Sequence, residues 1–124
     1  MLGSAELVAF IATTNAERAR AFYEGTLGLR FVSDDQFALV FDANGTTLRV
    51  QKVDSATVAR GTVLGWQVPD IATAVRELAG RGVTFERYPG MEQDEAGIWM
   101  TPGGKVAWFK DPDGHLLSLS QSDG

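Results

Sequence analysis

Apolar and polar residues alternate from Glu6 to Ala12, placing Leu7, Ala9 and Ile11 on one face of a strand and Glu6, Val8, Phe10 and Ala12 on the other. The period then changes. Asn15 suits an N-cap, and Ala16, Ala19, Phe22, Tyr23 and Leu27 recur at helical spacing until Gly28 ends the run. Leu29 to Ser33, Phe37 to Asp42 and Thr46 to Val53 read as strands. The last two are joined through Asn44-Gly45, a pair suited to the positive φ of a tight hairpin turn. Asp54 to Gly61 is polar and aperiodic and reads as a linker.

After the linker the order repeats. Thr62 to Val68 is a strand with Leu64, Trp66 and Val68 on one face. Asp70 caps a helix carrying Ile71, Ala74, Val75, Leu78 and Ala79, and Gly82 ends it. Val83 to Tyr88, Ile98 to Thr101, Lys105 to Lys110 and Leu116 to Ser120 supply further strands. Asp111-Pro112-Asp113-Gly114 fits a type I turn between the last two, since proline pre-sets φ and aspartate bonds its own backbone. Asn15 and Asp70 lie 55 residues apart and Gly28 and Gly82 lie 54 apart, so the chain contains an internal repeat.

The pattern predicts an α+β fold of two tandem βαβββ modules in one domain spanning residues 1–124. The first module covers about 5–53, the linker about 54–61 and the second module about 62–120. Four strands with one helix leave one sheet face uncovered, and two such modules are expected to form a curved mixed sheet with a concave trough and the helices outside. A concave wall is where small ligands bind.

Composition narrows the partners. The chain has 124 residues, a net charge of −5 and no dense Lys/Arg cluster, which argues against nucleic acid. No long apolar run or basic leader marks a membrane span or export signal, so a cytoplasmic location is expected. The absence of cysteine excludes disulfides, thiol catalysis and cysteine-ligated zinc. His115, the only histidine, follows the turn glycine and is expected to be exposed.

Ala21-Phe22-Tyr23 with Leu27-Gly28-Leu29, Val68-Pro69-Asp70, and Phe109-Lys110-Asp111-Pro112-Asp113-Gly114 together resemble the vicinal oxygen chelate superfamily. This superfamily includes glyoxalases, extradiol dioxygenases and fosfomycin- and bleomycin-resistance proteins, and the resemblance runs from Val8 through Ser120. The segment from Glu92 to Phe109 is similar to an uncharacterised branch. The resemblance implies a homodimer, and catalytic members hold a divalent metal through four strand residues. Carried onto this chain those positions are Val8, Arg49, Val63 and Ser118, none a usual metal ligand, and a slip of one residue in the outer strands finds only apolar residues or Thr62. No metal and no other cofactor is therefore expected.

Strand parity nominates the residues facing the trough. Glu6, Phe10, Arg49, Gln51, Trp99, Trp108 and Ser118 are the candidate ligand-binding residues, and Tyr88 joins Trp99, Trp108 and Phe10 as a stacking aromatic. Glu6 is a candidate partner for Arg49, and Arg49 a candidate receiver of a carboxylate, phosphate or carbonyl. Met91 to Gly97 is an acidic loop that reads as a solvated connection or a lid. The expected function is metal-free binding of a partly aromatic or anionic small molecule. The alternatives are a metal-independent enzyme using Glu6 and Arg49 or, third, a metal-dependent lyase or dioxygenase.

Overall fold

The computed structural model describes residues 1–123, and the chain divides into two units, Met1–Thr57 and Val58–Gly124. In the first unit, β1 (Val8–Thr13) leads into α1 (Ala16–Arg20), which continues as a wider π-type helical turn over Ala21–Thr26. β2 (Arg30–Asp34), β3 (Ala38–Ala43) and β4 (Thr46–Lys52) complete a sheet ordered β1-β4-β3-β2, with β1 parallel to β4 and the rest antiparallel. The helix starts at Asn15 because its side chain accepts the Arg18 N–H at 3.1 Å. Asn44 and Gly45 take φ of 52° and 94°, the two consecutive positive values that a tight β3–β4 hairpin requires.

Register divides this sheet into two faces. Ile11, Val50 and Leu39 stand side by side, as do Ala9, Leu48, Phe41 and Phe31, and most of this set is buried. Tyr23 from the helical segment packs onto it, its ring 5.9 Å from that of Phe41. Each large side chain removed from water here contributes about 1.5–3 kcal/mol. The opposite face carries Val8, Phe10, Ala12, Thr47, Arg49 and Gln51. Leu7 has core parity, yet it is 75% exposed because pairing begins only at Val8.

The second unit repeats the plan with β5 (Leu64–Gln67), α2 (Ile71–Gly80), β6 (Trp99–Thr101), β7 (Gly104–Lys110) and β8 (Leu116–Ser122), in the order β5-β8-β7-β6. Asp70 caps α2 through the Thr73 N–H at 3.2 Å and the Thr73 hydroxyl at 2.9 Å. The Gln121 side chain accepts the Ile71 N–H at 2.8 Å and so ties the helix start to β8. Leu117, Leu119, Ala107 and Phe109 form the buried face against α2.

Two expectations fail here. The alternation of Val83 to Tyr88 does not yield a strand: the segment touches the sheet through a single bridge, Phe85 to Phe109, and the Glu86 N–H bond to the Trp108 carbonyl. His115 is buried, 5% exposed, rather than solvated at a turn tip. The Asp111 carbonyl accepts the Gly114 N–H, and Gly114 at φ 92° swings the chain back. His115 is thereby held just beyond the ladder, its carbonyl accepting the Asp111 N–H at 3.0 Å and its own N–H donating to Asp111 Oδ1 at 2.9 Å, with the inward parity of Leu117 and Leu119.

Candidate ligand-binding faces

On the first unit's open face the β1–β4–β3 register sets Phe10 beside Arg49 and Arg49 beside Val40. Phe10 is 55% exposed, and Arg49 is half-buried between the two apolar strands. Arg49 forms no ion pair among the described residues; the cross-strand pair on this face is Arg30 with Asp42, at 3.6 Å. Glu6 does not reach Arg49. It precedes β1, and the register that aligns Val8 with Thr47 would set it beyond Thr47, away from Arg49 along the strand. Gln51 lies between Ala12 and Ala38, exposed, and its side chain makes no hydrogen bond among the described residues. At the edge of the same sheet, the N–H groups of Phe37 and Ala38 bind the Asp35 carboxylate at 2.8 and 2.9 Å and hold it below its ordinary range, with smaller help from the charges of Arg49 and Lys52.

The second unit's open face is aromatic. The ladder aligns Gly65, Ser118 and Trp108 across β5, β8 and β7, and next to them Gln67, Ser120, Val106 and Trp99. Trp99 and Trp108 lie with ring centroids 6.0 Å apart at an interplanar angle of 30°, and Tyr88 stands edge-on to Trp108 at 5.5 Å and 85°. Gly65 leaves room for the Ser118 side chain, because a Cβ there would sit 2.7 Å from the Ser118 Oγ. That hydroxyl is half-buried and has no partner among the described residues, so a donor and acceptor remains beside two indole rings. Burial, then the charge of Glu86, raises the Tyr88 hydroxyl above its ordinary value and keeps it protonated at neutral pH. Trp66 aligns with Leu119 and Ala107 on the helix side, away from this cluster.

The acidic loop is neither loose nor merely solvated. Gln93 accepts the Tyr88 N–H and donates to the carbonyls of Glu86 and Gly97, all within 2.9 Å. Asp94 Oδ1 accepts the N–H groups of Ala96 and Ile98, each at 2.9 Å. These bonds fix the segment that positions both Tyr88 and Trp99. Sequence periodicity gave no sign of Gln93, since its role depends on irregular backbone.

The glyoxalase/bleomycin resistance protein/dioxygenase superfamily model matches residues 6–119. The chain belongs to that superfamily. A superfamily member from Sphaerobacter thermophilus DSM 20745 is 25% identical, with 98% of this chain and 100% of that one covered and a TM-score of 0.75. TnmS3, an antibiotic binding protein from Streptomyces sp. CB03234, is 23% identical over 99% of both chains with a TM-score of 0.74. Lactoylglutathione lyase from Agrobacterium tumefaciens is 16% identical, covers 95% of this chain and 93% of its own, and has a TM-score of 0.72. No curated protein matches the sequence.

The residues do not fit the divalent metal that catalytic superfamily members hold. Among the described residues no group of three or more His, Cys, Asp or Glu side chains is gathered. Val8 and Val63 offer no donor atom, Arg49 brings a positive charge, and Ser118 alone is a weak ligand.

Proposed function

We propose that this superfamily member is a metal-independent small-molecule binding protein whose ligand is partly aromatic or anionic. The pairing of Trp99 and Trp108 on an open sheet face, edged by Tyr88 and by the Ser118 hydroxyl, which has no partner among the described residues, carries the reading. Rigid rings offer planar ligands large contact area at low entropic cost, and the hydroxyl supplies direction. On the first unit, Arg49 offers an anion a guanidinium that forms no ion pair among the described residues, though its charge reaches the Asp35 carboxylate; Phe10 flanks it and Gln51 lies two residues along the same face. The antibiotic-binding neighbour supports a binding role on this fold. We also propose that the protein works as a homodimer.

Intrinsic fluorescence titration with anthraquinone-2-carboxylate, a planar aromatic anion, tests the reading. Binding is expected with and without chelator, and Trp108→Leu should weaken it about tenfold or more, the loss of one desolvated ring contact. Unchanged affinity in that variant, or binding that requires added zinc or manganese, would overturn it. Arg49→Met with unchanged affinity would remove the anion role alone.

A further inference from the structure

We propose a second ligand site on the helix side of the second unit's sheet, the face away from Trp99 and Trp108, that takes a small amphiphilic carboxylate such as an alkanoate. A depression of about 500 Å³ lies there between α2, the segment from Val83 to Arg87, and the loop from Asp94 to Ile98. This is within the range of sites for small molecules.

The depression follows from the sequence. On α2, Ala72, Val75 and Ala79 recur at i, i+3 and i+7 and line it, and the two alanines leave unfilled the space that larger side chains would occupy. Opposite them, Val83 and Phe85 alternate like a strand but meet the sheet at one bridge only, so the segment stands off and leaves a gap. Phe85 is held by Phe109, ring centroids 5.5 Å apart, and Gly97 at φ 93° passes so close beneath it that an added Cβ would lie 3.1 Å from the Phe85 Cβ. The far wall is fixed by the Gln93 and Asp94 bonds, so the site is formed in advance of any occupant.

Charge selects the class of occupant. Arg76 and Arg87 both line the depression, and neither forms an ion pair among the described residues. Arg76 has one hydrogen bond, 3.4 Å to the Thr73 hydroxyl, and a weak attraction to the Asp70 carboxylate, and Arg87 donates to the Glu95 carbonyl, so most of their donors stay free. The acidic groups of the lining are Asp94, whose Oδ1 is engaged by two amides, and Glu95. An apolar floor with two available guanidiniums fits an alkyl or aryl tail ending in a carboxylate, and Glu95 sets a repulsion that limits its affinity.

The test is a ¹H–¹⁵N NMR titration of the full chain with sodium decanoate, with decan-1-ol and decyltrimethylammonium as neutral and cationic controls. Decanoate should shift the amides of 72–79, 83–87 and 96 while the Trp99 and Trp108 indoles stay in place. The R76Q/R87Q pair should weaken it about tenfold or more through loss of charged hydrogen bonds. E95Q should tighten it. Both are exposed substitutions, and circular dichroism checks that each variant folds. Equal or tighter binding of decyltrimethylammonium, an unaffected R76Q/R87Q variant, shifts confined to the tryptophan face, or no shift at all would each overturn the site. The aromatic face is tested separately by the anthraquinone titration, so failure of this site leaves that reading standing.

Discussion

Replacing Gly97 by alanine should unsettle the loop that carries Gln93 and leads into Trp99, and the structure allows the cost to be divided. A side chain at φ 93° costs about 1–3 kcal/mol in backbone strain. The new Cβ would also meet the Phe85 Cβ at 3.1 Å, where neither atom is the tip of a flexible chain, which adds about 1–3 kcal/mol of overpacking. Gly90 supplies the control: it sits at φ 83° with nothing within 4 Å of an added Cβ, so Gly90→Ala carries the backbone cost alone. With an unfolding entropy of about 2.1 cal/mol/K per residue over 124 residues, each kcal/mol lowers Tm by about 4 °C. Calorimetry should show a Tm drop of about 8–24 °C for Gly97→Ala, and urea titration should put it at least about 1 kcal/mol below Gly90→Ala. A Gly97→Ala protein as stable as Gly90→Ala would show that the contact with Phe85 does not constrain the loop.

Gln93→Ala removes three hydrogen bonds to backbone and should cost about 1–3 kcal/mol, with faster amide hydrogen exchange confined to 86–98. Asp70→Ala should lower the urea unfolding midpoint through loss of the α2 cap. The Asp70 carboxyl is lowered by bonds from Thr73, and that of Asp35 by bonds from Phe37 and Ala38, relative to an ordinary value of 3.8. Both contribute stability that is fully present above that value and is lost as pH falls below it, so Asp70→Asn should flatten the acid limb of a stability-against-pH curve. The Tyr88 hydroxyl should titrate by ultraviolet absorbance above 10.0, and Glu86→Gln should bring it part of the way back.

The sequence made the strand faces legible because a buried face forces period two and the helices supply caps at Asn15 and Asp70. Phe10, Arg49, Gln51, Trp108 and Ser118 lie on the sheet faces that alternation gives them, and the pairing of Trp99 with Val106 sets Trp99 on the face of Trp108. The rest depends on long-range pairing. Alternation from Val83 to Tyr88 could not reveal that the neighbouring strand is met at one residue only. The separation of Glu6 from Arg49 is a matter of register, which no local pattern encodes. His115 departs from expectation because turn residues are ordinarily exposed, whereas this one directly precedes β8 with the inward parity of Leu117 and Leu119. Gln93 was overlooked because a side chain that replaces a missing strand partner leaves no periodic trace.

The three tryptophans provide the most direct test of metal-independent binding, since Trp99 and Trp108 lie on the open face and Trp66 on the helix side. Their indole N–H resonances can be followed in one NMR titration with anthraquinone-2-carboxylate in the presence of a chelator. Saturable shifts of the Trp99 and Trp108 signals with Trp66 unmoved are the predicted result. Shifts at Trp66 alone, or none until a divalent metal is added, would contradict the account.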